Sequence, residues 1–237
     1  MSEVREEYTR ETYPSFGKKY AGEKAVISLT SWKARINTVS KTLFSLIQQC
    51  PGFHIVLVLS EEEFPKKEEE LPENLRLFID NDLIEVLWVY KNYKSFKKWI
   101  FTAEKYHDVP IISTDDDMIY AWNFCEDLYK NWKENKSAII SHVKSFRKPA
   151  NPCGCSALYP PSCFKTFLNE FNKYKIKNTQ DDTFYAKVCA KHNINIIGLY
   201  DYYPGYFHDE INPINGGSCR IPRWLKCQRY KNPKLNS

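Results

Sequence analysis

Three consecutive carboxylates, Asp115-Asp116-Asp117, follow directly on an apolar run in the segment Ile111-Ile112-Ser113-Thr114-Asp115-Asp116-Asp117-Met118-Ile119-Tyr120. Like charges gathered at the end of a buried strand repel one another and lose hydration, a cost that a divalent cation with hard oxygen ligands offsets. Within the triplet, side chains one apart point to opposite sides and those two apart to the same side. Asp115 and Asp117 then converge on one ion while Asp116 faces elsewhere. The competing reading is a solvated acidic turn that closes a strand, because Asp is common in turns. A second acidic pair, Asp181-Asp182, heads an apolar pattern at Phe184, Tyr185, Val188 and Cys189. That is a helix with carboxylates at its favourable end, where simple N-capping would use the same residue types.

The elements that must position these groups alternate. Residues 24–29 (Lys-Ala-Val-Ile-Ser-Leu) read as a first strand that empties into Thr30-Ser31-Trp32-Lys33. Residues 35–49 place Val39, Leu43, Leu46 and Ile47 at helical intervals, and Pro51-Gly52 stops the pattern. Residues 53–59 are nearly continuous in apolar side chains, as a parallel strand covered on both faces requires. A short helix over 71–80, a strand over 84–89 and a helix over 94–106 lead to the strand at Ile111. This order predicts an α/β fold with a mostly parallel central sheet, flanking helices and right-handed crossovers. Ligands of such sheets gather at the carboxyl ends of the strands, where the three aspartates fall. Beyond them the spacing predicts helices over 122–132, 164–174 and 181–192, strands over 137–141 and 194–199, and a loop over 151–162. The part after Tyr200 is dense in Tyr, Pro, Gly, Asn and Arg and is expected to be irregular.

Composition bounds the function classes. A chain of 237 residues, 43% hydrophobic and 15% aromatic, can bury a sizeable core. The net charge of +5 suits an anionic ligand or a membrane surface and is too small a bias to argue for nucleic acid. No apolar run reaches eighteen residues, and residues 1–20 are charged rather than shaped like a secretory signal. A soluble, cytoplasmic protein is therefore expected, with peripheral contact at an inner membrane face left open. The eight cysteines are scattered; Cys153-Gly154-Cys155 with Cys163 lacks the paired knuckles of a structural zinc site, so buried or loop thiols are expected. The organisation expected is a polar leader over 1–23, one domain over 24–210 divided near 120, and a tail over 211–237 that can act as a lid.

Four segments together resemble the nucleotide-sugar-dependent glycosyltransferases of the GT-A fold, notably family 2-like bacterial enzymes that build surface polysaccharide or lipooligosaccharide. They are Val26-Ile27-Ser28-Leu29-Thr30-Ser31-Trp32-Lys33-Ala34-Arg35-Ile36, Leu59-Ser60-Glu61-Glu62-Glu63-Phe64-Pro65, Lys94-Ser95-Phe96-Lys97-Lys98 and Thr114-Asp115-Asp116-Asp117. The resemblance implies Mn²⁺ or Mg²⁺ held by Asp115 and Asp117 against a nucleotide diphosphate, with Asp116 at the donor. It implies donor contacts from Thr30, Ser31 and Arg35, while Lys94 and Lys97, three apart on one face of the expected helix, can approach the phosphates or else read as solvated helix residues. By position, Asp182 corresponds to a general base and Asp181 to its partner, although Asp181 stands where Glu is usual. His208 corresponds to a late third metal ligand, as neutral imidazole suits Mn²⁺. The expected partners are a nucleotide-sugar donor, UDP-linked as first guess, and a carbohydrate or lipid-linked glycan acceptor. Three alternatives stay in view. A metal-dependent nuclease or phosphodiesterase would also use paired aspartates, although the sequence holds no His-x-His-x-Asp or comparable metal cluster. A nucleotidyltransferase needs an early glycine-rich phosphate loop, and no glycine lies between Leu29 and Gly52. A carbohydrate-binding protein with a structural metal would share the aromatic content without the chemistry.

Overall fold

A computed structural model of the protein describes residues 13–49, 51–145, 149–152, 154–174, 181–201 and 204–207. The strands are β1 (Ser15–Gly17), β2 (Ala25–Thr30), β3 (Phe53–Ser60), β4 (Glu85–Val89), β5 (Ile111–Thr114), β6 (Met118–Tyr120), β7 (Ile139–Val143), β8 (Ser156–Tyr159), β9 (Ile196–Tyr200) and β10 (Gly205–Phe207). The helices are α1 (Val39–Ile47), α2 (Glu73–Asp80), α3 (Lys97–Lys105), α4 (Phe124–Glu134), α5 (Phe164–Lys173) and α6 (Asp181–His192).

Eight strands form one sheet in the order β1-β4-β3-β2-β5-β8-β7-β9, and β6 and β10 form a separate antiparallel ribbon. β4, β3, β2 and β5 are mutually parallel, as the alternation of strand and helix requires. Period-two alternation divides the side chains of these strands between two layers. Ile27, Leu29, Ile55, Leu57 and Leu59 pack with α1, α2 and α4, whereas Val26, Val56 and Val58 pack beneath α3. Beside that second layer lies an aromatic core built from Phe96 and Trp99 of the α3 region, Tyr159, α5 and α6. From β2 the chain moves outward through β3 and β4, then returns to place β5 on the opposite side of β2. The crossover direction therefore reverses between β2 and β5, which opens a crevice at their carboxyl ends, just past Thr30 and Thr114.

Four departures from the sequence reading bear on that crevice. β8 lies inside the segment expected to be a loop and runs antiparallel between β5 and β7. Its four residues, Ser-Ala-Leu-Tyr, carry no periodic signal, and their strand character comes from being buried between two neighbours. Ser15–Gly17 in the polar leader adds an edge strand to β4. α1 begins at Val39 rather than 35, because the N–H groups of Arg35 and Ile36 both close turns on the Trp32 carbonyl, at 2.9 and 3.0 Å. Lys94–Phe96 is a single 3₁₀ turn, with Lys94 at φ +54°, so Lys94 and Lys97 do not share a helix face. Among the described residues no helix is long and apolar enough to cross a membrane. The described cysteines Cys125, Cys155, Cys163 and Cys189 are buried.

Candidate active site

The ends of β2 and β5 are joined through the aspartate triplet. Ser31 Oγ donates to Asp116 Oδ2 at 2.6 Å, and Arg35 Nη1 lies 2.9 Å from both Asp116 Oδ1 and Asp117 Oδ2. The turn that replaces the first part of the expected helix aims Arg35 inward, so its guanidinium is buried with them. Thr42 Oγ1 of α1 donates to the Asp116 carbonyl at 2.9 Å. On the other side the Asp115 N–H donates to Tyr120 Oη, which itself donates to the Cys155 carbonyl, each at 2.8 Å.

Strand β5 stops at Thr114, and Asp116 and Asp117 form a turn, so strict alternation does not govern the triplet. Partner choice divides it instead: Asp115 turns to Lys98, and Asp116 and Asp117 share Arg35. Asp116 is 4% exposed, which makes it a buried, hydrogen-bonded carboxyl rather than part of a solvated turn. Burial raises the Asp116 pKa above the usual carboxyl range, with Arg35 and Ser31 acting against the rise. Burial and the neighbouring charge of Asp115 push Asp117 up to about 7.

The second acidic pair reaches the same place from the opposite wall. Lys98 Nζ lies 2.5 Å from Asp115 Oδ1, 3.0 Å from the Gly154 carbonyl and 3.8 Å from Asp181 Oδ2. Burial opposes the Lys98 charge, but the surrounding Asp115, Asp181 and Asp182 outweigh it and hold the ammonium well above the ordinary lysine range. Burial raises Asp181, against the pull of Lys98. Asp182 Oδ1 accepts the Gly154 N–H at 2.8 Å. A Cβ at 154 would stand 2.2 Å from that oxygen, so any larger residue there must displace the Asp182 carboxylate. Asp182 thus fastens the 154 loop to α6 as well as standing at the helix start.

Next to the triplet a cavity of about 210 Å³ is lined by Thr30, Ser31, Trp32, Glu63, Asn92, Lys94, Ser95 and Lys97. The fold therefore brings together Thr30, Ser31, Lys94 and Lys97, although the two lysines come from a turn and a helix. Lys97 Nζ is 2.6 Å from Glu63 Oε2, and burial lowers its pKa despite that partner. The indole N–H of Trp32 is buried and has no hydrogen-bond partner among the described residues.

Among the described residues no three His, Cys, Asp or Glu side chains stand together as a self-sufficient metal cage. The donor chemistry nevertheless fits a hard cation. Asp117 Oδ1 and Asp181 Oδ2 are buried and lack a hydrogen-bond partner among the described residues, so oxygen ligands remain to be satisfied. Magnesium-type sites use one or two carboxylates and take further ligands from substrate phosphates. His208 lies outside the described residues.

Reasoning from sequence passed over Lys98, Gly154, Tyr120 and Glu63. A signal existed for Lys98: adjacent lysines at the first turn of a helix oppose its dipole, so their burial requires carboxylate partners. Gly154, Tyr120 and Glu63 carried no comparable signal, because their roles depend on long-range contacts.

No protein-family model matches the chain, and neither does any curated protein. Solved structures do match. The mannosyltransferase PcManGT from Pyrobaculum calidifontis, solved in complex with GDP-Man and Mn²⁺, aligns at a TM-score of 0.52 and 15% identity, covering 80% of this chain. Residues 1–349 of TarS from S. aureus align at a TM-score of 0.52 and 14% identity, covering 75%. This chain spans 58% of each of those structures. At such identity the likeness is one of fold, and it is the glycosyltransferase-like α/β fold expected from the sequence.

Proposed function

We propose that the protein is a glycosyltransferase that moves a sugar from a nucleotide diphosphate donor to a carbohydrate acceptor, free or lipid-linked. The observation that carries this reading is the crevice between β2 and β5, where a lysine-flanked cavity abuts buried carboxylates with unsatisfied oxygens. The shared fold with a mannosyltransferase holding GDP-Man and Mn²⁺ supports it.

Thr30, Ser31 and Trp32 receive the nucleoside, and Lys94 and Lys97 approach the phosphates. Asp115 and Asp117 would hold Mn²⁺ or Mg²⁺, with His208 as a further ligand, and the chemistry supplied there would be neutralisation of charge on the departing diphosphate. Arg35 keeps the Asp116–Asp117 turn in place and, with Asp116, borders the donor. On the opposite wall Asp182 removes the proton from the acceptor hydroxyl, which makes the transfer inverting, and Asp181 orients it. A UDP-linked sugar is the first donor to try. The net charge of +5 suits an acceptor carried at an anionic membrane surface.

The test is a panel of sugar nucleotides screened by thermal shift with and without Mn²⁺, followed by assay for released nucleoside diphosphate. At least one donor should raise Tm in a metal-dependent way, and Asp117→Asn should abolish that shift while the free protein keeps its own Tm. A variant that binds donor as the native chain does removes Asp117 from the metal role.

A further inference from the structure

Lys98 occupies an unusual position for a cation. It sits in the first turn of α3, where the helix dipole disfavours positive charge, and only 2% of it reaches solvent. Its backbone is fixed as well, because Ser28 Oγ of β2 donates to the Lys98 carbonyl and also meets Thr102 Oγ1 at 2.8 Å. From there the ammonium spans the two walls of the crevice, touching Asp115 of the β5 turn, the Gly154 carbonyl, and Asp181 of α6.

We propose that the Lys98 ammonium is a built-in counter-ion of this carboxylate cluster, which makes divalent-metal binding depend on the simultaneous arrival of a nucleotide diphosphate. The idea rests on the glycosyltransferase reading above and adds a rule for loading the site. One oxygen of Asp115 is already engaged by a fixed cation, so a metal ion entering alone meets a like charge beside a ligand that is half spent. Asp117, the other carboxylate available to the ion, is tied through Oδ2 to Arg35 and offers Oδ1. Among the described residues the other oxygen without a hydrogen-bond partner, Asp181 Oδ2, lies 3.8 Å from Lys98 and is offset by it in the same way, in keeping with the lack of a three-ligand cage among those residues. A diphosphate contributes both the missing oxygens and the negative charge that offsets Lys98 and Arg35. Metal and nucleotide therefore bind with positive coupling, and Lys98 is the residue that enforces it.

The experiment is calorimetric titration and thermal shift of the full chain with MnCl₂ alone, UDP alone, and MnCl₂ in the presence of UDP. Native protein, Lys98→Met and Lys98→Arg are compared. For the native chain, UDP should tighten Mn²⁺ binding by about tenfold or more. Lys98→Met should bind Mn²⁺ alone about tenfold more tightly than the native chain does, because the repelling charge is gone. Lys98→Arg should keep the native dependence on UDP. Equal Mn²⁺ affinity in the native chain with and without UDP overturns the proposal, and this measurement stands even if Lys98→Met does not fold. Equal Mn²⁺ affinities of native protein and Lys98→Met, in the absence of UDP, overturn it too. The parent reading fails separately: a native chain that releases no nucleoside diphosphate from any donor is not a transferase, whatever the metal titrations give.

Discussion

At the C-terminal end of α3, Lys105 meets Glu85, the first residue of β4; at the N-terminal end of the same helix, Lys98 meets Asp115, just past the end of β5. Both are buried charge clusters, and His54 Nδ1 in the first also lacks a hydrogen-bond partner among the described residues, but their carboxylates are satisfied to different degrees. Glu85 is fully buried and both its oxygens are engaged, Oε1 by Lys105 and Oε2 by His54 Nε2 at 2.6 Å and the Tyr106 hydroxyl. Tyr20 and Tyr106 close over His54 with ring centroids 5.6 and 5.7 Å away. At the other end Asp117 and Asp181 each retain a buried oxygen without a hydrogen-bond partner among the described residues. A buried ionic cluster with no spare valence on its carboxylate holds structure together, while one with unsatisfied oxygens at the carboxyl ends of strands is prepared to bind something.

The largest effect expected from breaking this contrast is on chemistry. Asp182→Asn should lower transfer by about 10² to 10⁴-fold while leaving donor binding near native. Near-native turnover would remove Asp182 from the role of base. Glu85→Gln tests the finished end and should act on stability alone, costing about 3–5 kcal/mol because it leaves buried partners mismatched. Donor affinity measured on the folded variant should be unchanged; a large loss there would mean the two ends are coupled through α3.

The same residue sets an acid limit. Burial works against the Glu85 charge, but His54, Lys105 and Tyr106 outweigh it and hold the carboxyl at about 2 rather than 4.5. Because the folded-state value is depressed, the stabilisation is fully present above about pH 4.5 and is lost as pH falls toward 2, amounting to about 3 kcal/mol. Denaturant melts between pH 6 and 3 should show that fall in the native chain and a flatter profile in Glu85→Gln.

Gly154→Ala should cost less. The added methyl would meet Asp182 Oδ1 at 2.2 Å, so the carboxylate must move, and about a tenfold loss of kcat follows from its misplacement. Unchanged kcat would show that the Asp182 position is not critical. Smallest of all is Lys33→Ala, which removes a 2.8 Å ion pair with Glu70 from a largely exposed lysine. Its effect on stability should stay below about 0.5 kcal/mol, and activity should not change.

The first half of the fold was legible because its signals are local. The continuous apolar run of β3, the helical spacing of α1 and α3, and the acidic end of β5 each follow from neighbours in sequence, and they put the triplet at the carboxyl end of a parallel strand. β8 was not legible: Ser156-Ala157-Leu158-Tyr159 becomes a strand only because β5 and β7 lie on either side of it. The pairing of Lys94 with Lys97 was read from helical spacing, yet a positive φ at Lys94 breaks the helix and the cavity reunites them by another route.

By itself, the sequence determined that three carboxylates would stand at the end of a buried parallel strand, since apolar periodicity and like-charge crowding are properties of adjacent residues. It also determined that a second carboxylate pair would open a late helix. Only the tertiary structure decided which cations meet which carboxylates. Asp115 lies 17 positions from Lys98, and Asp116 lies 81 from Arg35. Such partnerships depend on where the sheet order reverses and on how far each buried side chain must reach to avoid leaving its charge alone.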